Sequence, residues 1–146
     1  MEVRVSQQSA SRPQDPAIVQ RDFVEIRLPA DSAYLSVLRT ATAGLAARLD
    51  FTLDDIEDLR IAVDEACAML LHQTVPGSDL TCVFELERGA LSIQVSAPTV
   101  DGRLPERDTF AWTVLTALAG QVDATVDDDK HVSINLHKRR GRPGTS

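Results

Sequence analysis

The chain has 146 residues and a mass of 15.9 kDa, enough for one domain whose core buries roughly two-thirds of the unfolded surface without staples. Hydrophobic residues make up 43% but aromatics only 4%, so the core must be built from Leu, Val, Ile and Ala. The formal charge is −7; Lys138, Arg139, Arg140 and Arg142 contribute +4 within the last nine residues, so the remainder carries −11, a sign that repels phosphate backbones. Direct nucleic-acid binding is thereby excluded except through the basic end, and a basic partner protein is favoured.

Residues 1–21 are rich in Gln, Ser, Pro and Arg without a lasting period, and read as a flexible segment outside the fold. No basic stretch there precedes an apolar one, and no apolar run reaches the ~18 residues of a membrane span, which points to a cytoplasmic protein without membrane contact. Phe23 to Leu28 alternates as a half-buried strand that Pro29 ends. Asp31 or Ser32 caps a helix reaching about Leu49, with Leu35, Leu38, Thr42, Leu45 and Leu49 at helical spacing.

A second helix begins at Thr52, where Asp55 stands at the reciprocal position of a capping box and Phe51 and Ile56 at the two ends of a hydrophobic staple. It runs to Gln73, and its apolar second half carries two adjacent carboxylates, Asp64 and Glu65. An unpaired buried charge costs several kcal/mol, so at least one of them must face water, a cleft or a partner. Cys67 and Cys82 lie in apolar surroundings without CxxC spacing and read as reduced core thiols.

After the Pro76-Gly77-Ser78 turn, Thr81 to Glu87 and Leu91 to Ser96 form a β-hairpin around Arg88-Gly89. Ala97 to Asp108 connects to a helix from Thr109 to Val122, spaced through Phe110, Val114, Leu115 and Leu118. A last hairpin turns around Asp127 to Lys130, with Val132, Ile134 and Leu136 inward; Asp123 with Asp127 to Asp129 reads as its solvated tip. His72, His131 and His137 offer no pairing from which a metal site follows. The fold class is α/β in the α+β sense: a two-layer sandwich with a mixed, mainly antiparallel sheet covered on one face by three helices over residues 22–138, and a basic flexible tail at 139–146.

That element order, with Leu45-Ala-Ala-Arg-Leu-Asp50, Asp58-Leu-Arg-Ile-Ala-Val-Asp-Glu65-Ala66 and Phe110-Ala-Trp-Thr-Val-Leu-Thr-Ala-Leu-Ala119, resembles the RsbW-type anti-sigma factors, serine kinases of the GHKL ATPase superfamily, and especially their divergent actinobacterial, UsfX-like branch. The resemblance implies an anti-sigma factor that sequesters an alternative sigma factor, is released by an anti-anti-sigma protein of the STAS class, and forms a homodimer. Arg39 matches an arginine with which the family contacts both partners, and Tyr34 and Leu35 would extend that surface.

The alternative the resemblance carries is an ATP-dependent serine kinase acting on the STAS protein, with ATP and Mg²⁺ as cofactors. For it Glu65 matches the general base, working or vestigial, and Asp64 before it is compatible with the pattern. The degenerate positions are equally plain. Met69 stands where the family's magnesium-holding Asn belongs, and a thioether is a poor ligand for a hard cation. The Asp-x-Gly-x-Gly box is replaced by Val95 to Gly102, in which Asp101 and Gly102 offer only a displaced turn. The last glycine box becomes Thr109-Phe-Ala-Trp112, where Trp112 could plug the nucleotide space. A third reading is a regulatory module whose partner is not a sigma factor.

Overall fold

The computed structural model describes residues 1–8 and 21–141. Its strands are β1 (Glu2–Gln8), β2 (Arg21–Pro29), β3 (Asp79–Glu87), β4 (Ala90–Pro98), β5 (Gln121–Val126) and β6 (His131–Arg139); its helices are α1 (Leu35–Arg48), α2 (Leu53–Leu71) and α3 (Phe110–Ala119). The six strands form one sheet in the order β1-β2-β3-β4-β6-β5.

Every neighbouring pair is antiparallel, which corrects the expectation of a mixed sheet. Two helices intervene between β2 and β3, and the three reversals this requires return the chain antiparallel beside the strand it left. A single helix separates β4 from β5, so those two run parallel; β6, folding back from β5, takes the place between them.

The helices cover one face. Leu38, Thr42 and Ala46 of α1, Leu59, Ala62, Val63, Ala66, Cys67 and Leu70 of α2, and Trp112, Leu115 and Ala119 of α3 are buried against Leu80, Cys82 and Phe84 of β3, Leu91, Ile93 and Val95 of β4, and Val132, Ile134 and Leu136 of β6. Both cysteines are buried free thiols, and burial pushes the Cys67 thiol up to about 12. Thr42, wholly buried, satisfies its hydroxyl by donating to the Leu38 carbonyl at 2.7 Å.

Local chemistry sets the boundaries. Asp31 caps a short 3₁₀ turn, Ser32–Tyr34, that leads into α1. Asp50 closes α1 in the left-handed region at φ 62°, while Phe51 N–H returns to the Ala46 carbonyl. The Thr52 hydroxyl then accepts the Asp55 N–H at 3.1 Å, the expected N-cap, with Phe51 buried and Ile56 packed against the core. The Asp55 carboxylate lies 3.5 Å from Lys138 Nζ.

Three boundaries differ from the sequence reading. Glu2–Gln8, set outside the fold as part of residues 1–21, pairs as edge strand β1 with β2, Val3 opposite Ile26 and Val5 opposite Val24; residues 9–20 lie outside the described residues. At the other end β6 runs through Arg139, and Arg140 N–H donates to the Gly89 carbonyl at 2.7 Å, so the start of the expected tail belongs to the sheet; 142–146 lie outside the described residues. Helix α3 stops at Ala119 instead of reaching Val122, because Gly120 takes φ 85°, and its packed face is Trp112, Leu115 and Ala119, leaving Phe110 84% exposed. No helix among the described residues is long and apolar enough to cross a membrane.

Candidate functional site

Asp64 and Glu65 are about 100° apart around α2, so two adjacent carboxylates serve opposite flanks of one helix. Asp64 turns toward α1, where its Oδ1 lies 3.4 Å from Arg39 Nε; both side chains are about two-fifths exposed. The structure thus joins a residue expected at a nucleotide pocket to one expected at a partner surface. Arg60, one turn before Asp64, adds a second guanidinium and pairs at 2.9 Å with Glu57. Leu35, one turn before Arg39, is half-buried and packs on the core, so the solvent face of this region comes from exposed Tyr34 and from Ser36, Val37, Thr40 and Ala41, which line a shallow depression of about 440 Å³.

Burial pushes the Asp64 carboxyl above its ordinary value, and Arg39 and Arg60 offset part of that. The native state therefore holds this proton more tightly than the unfolded chain, so the group's contribution to stability falls as pH rises through the carboxylate range. Asp64→Asn removes that dependence. Urea midpoints measured from pH ~3 to ~7 are expected to shift in the variant's favour as pH rises; the opposite slope would mean that the Arg39 pair outweighs burial.

On the other flank, a cleft of about 560 Å³ lies between α2 and the segment that leads into α3, lined by Met69, His72, Gln73, Asp101, Arg103 and Leu104 among others. Met69 and Asp101 therefore line the same cleft. Glu65 is half-buried one turn before Met69, outside that lining, and forms no ion pair among the described residues. Trp112 is 7% exposed in the core, with the Arg107 guanidinium 5.2 Å over its ring and Arg107 Nη2 2.8 Å from Asp123.

The cleft wall is pinned from both sides. Buried Thr99 donates its hydroxyl to the Lys130 carbonyl at 2.7 Å, Val100 N–H donates to the Gln73 carbonyl at 3.0 Å, and Gln73 Nε2 to the Arg103 carbonyl at 2.6 Å. Gly102, at φ 65°, gives its N–H to Thr99 Oγ1 at 2.9 Å, and a Cβ there would stand 3.2 Å from Lys130 Cγ. That amide is already spent within the turn. At the start of α3, Thr109 Oγ1 likewise accepts the Trp112 N–H. A thioether in the metal-ligand position, an occupied glycine amide and a capped, glycine-free helix start do not fit a magnesium nucleotide held in the manner the family resemblance implies.

At the β5–β6 turn, exposed Asp127, Asp129 and His131 cluster within 4.8 Å; Asp127 Oδ1 accepts the backbone N–H groups of Asp129 and His131 at 2.9 Å each, and the His131 bond foremost holds its carboxyl below the usual range. The cluster is an Asx turn that shapes the hairpin. Sequence reasoning missed Arg60 and Gln73. Arg60 stood four residues before Asp64, a legible signal; the Gln73 contact joins residues thirty apart and was not legible.

No family model matches the chain. The anti-sigma-F factor RsbW of Mycobacterium tuberculosis is 32% identical over 104 residues, covering 71% of this chain and 62% of that protein. The serine-protein kinase RsbW of Bacillus cereus is 36% identical over 75 residues, 50% of this chain and 47% of the relative. A solved structure of the RsbU and RsbW domains of a Mycobacterium tuberculosis protein matches 83% of this chain and 33% of that one with a TM-score of 0.65 at 16% identity, a likeness of fold alone. The chain spans less than two-thirds of the length of these curated relatives. In sequence the chain is similar to RsbW proteins over half of its length or more, and in fold it is like a solved RsbW domain.

Proposed function

We propose that the protein is a cytoplasmic anti-sigma factor: residues 22–138 sequester an alternative sigma factor by protein contact, and a STAS-domain anti-anti-sigma protein competes for the same surface and releases it. Similarity to RsbW proteins supports the class, and the observation that carries the reading is Arg39, held half-exposed on α1 by Asp64 next to an uncovered helix face. The acidic body complements a sigma factor whose DNA-binding surface is basic. Two copies act as a homodimer. Contact with neither nucleic acid nor membrane is part of the mechanism.

The mechanism is occlusion. A docked sigma factor loses access to polymerase for as long as the complex lasts, and no chemical step is required of the cleft beside Met69. Arg39→Ala is expected to weaken sigma-factor binding by about tenfold or more, the usual effect of losing a central interfacial arginine, with thermal stability changed little, because the exposed pair with Asp64 contributes only ~0–1 kcal/mol. Titration of the purified sigma factor onto both proteins, beside melting curves, measures this; equal affinity would remove α1 from the docking surface.

A further inference from the structure

Phe110 is 84% exposed although it opens a helix that buries Trp112, Leu115 and Ala119. The cause is rotational: Trp112 lies two positions on, about 200° around α3, and the Thr109 cap fixes the helix start, so a buried Trp112 turns Phe110 outward. Both chain neighbours of Phe110, Thr109 and Ala111, line the cleft of about 560 Å³ beside Met69, and Leu104 of the same lining is exposed as well. An apolar knob thus stands at the lip of a partly apolar hole. Asp101, Arg103 and Glu106 in that lining form no ion pair among the described residues, whereas Arg107 just beyond is engaged by Asp123. A knob, a hole and unspent charges of both signs on one patch are what a surface needs to be complementary to itself.

We propose that two copies of this chain meet at the cleft about a two-fold axis, the Phe110 ring of each entering the cleft of the other beside Met69 and Leu104, with Arg103 of each copy facing Glu106 of the other. Because knob and hole adjoin, one rotation seats both and the contact closes; a knob remote from its hole would build an open chain of copies. Two acidic bodies repel, so association depends on local pairing of opposite charges at the rim of an apolar contact. The inference deepens the proposed homodimer and rests on that reading. The cleft and the Asp64–Arg39 pair lie on opposite flanks of α2, so the Arg39 surface stays open in both copies and the dimer takes two sigma factors.

Sedimentation velocity of the full chain over about 1–100 μM measures the association. Phe110→Ala is expected to weaken the dimer about tenfold or more with its circular dichroism unchanged, because the ring packs on nothing within its own copy. Arg103→Glu and Glu106→Arg are each expected to be monomeric where the wild type is dimeric, since each sets like charges face to face twice. Mixed in equal amounts the two are expected to dimerise again, both crossed pairs being restored, a rescue that local misfolding would not produce. A wild-type dimer that Phe110→Ala leaves intact, single charge variants that still dimerise, or a mixture that stays monomeric would overturn the cleft as the contact and leave the homodimer. A wild type monomeric throughout the range overturns both.

Discussion

Phe84→Ala is expected to lower the unfolding free energy by about 3–5 kcal/mol, roughly a fifth or more of the ~5–15 kcal/mol typical of a domain. Phe84 is wholly buried on β3, opposite Val24 of β2 and Ile93 of β4, under the helix layer. It is one of three aromatics, with Phe51 and Trp112, in a core cluster otherwise built mainly from aliphatic side chains. Truncation removes the transfer energy of the ring and leaves a cavity that a sheet with fixed register cannot close. Phe84→Leu, closer in volume, costs less. Urea denaturation measures both; a loss under about 1 kcal/mol for the alanine variant would show that the sheet and α2 are not locked together as described.

Lys138→Ala is expected to cost about 2 kcal/mol, far more than a surface charge. Lys138 was counted in the sequence with the basic end, yet on β6 its side chain is only 14% exposed. Its ammonium donates to the Leu118 carbonyl at 2.8 Å near the end of α3 and lies 3.5 Å from Asp55 and 3.8 Å from Asp58 at the start of α2. One cation thus satisfies a carbonyl that the helix end leaves open, neutralises two carboxylates and ties three elements together. Lys138→Met keeps the stem packing and separates that part from the charge. Calorimetric melting should show a loss of several degrees for alanine with about half or more retained by the charge-only change to methionine; by comparison, loss of the exposed Arg60–Glu57 pair should be nearly silent.

Much of this was legible in the sequence because it is local. The Thr52 cap, the Arg88-Gly89 hairpin and the inward row Val132, Ile134 and Leu136 each declare themselves within ten residues, through cap chemistry, turn chemistry and period. Strand β1 did not: Val3 and Val5 remain 56% and 66% exposed at the sheet edge, so no burial pressure writes a pattern into Glu2–Gln8. Phe110 was misplaced because helical spacing from Phe110 and from Trp112 fits equally well, and only the capped start at Thr109 with its burial decides.

The candidate site was legible residue by residue but not in its pairing. Asp64 and Glu65 look equivalent in sequence, and only the packing of α1 against α2 decides that Asp64 meets Arg39, twenty-five positions earlier. That Met69 and Asp101 line one cleft follows only from the fold, and the occupation of Gly102 N–H by Thr99 depends on the register of β4 with β6.

The central claim is sequestration by protein contact without nucleotide chemistry. Its most direct test is equilibrium titration of the organism's alternative sigma factor onto the purified chain, with and without magnesium ATP. Binding is expected in the absence of nucleotide, with an affinity unchanged within about twofold when magnesium ATP is added, a difference of under ~0.5 kcal/mol. Binding that requires magnesium ATP, or no binding in either condition, would contradict the account.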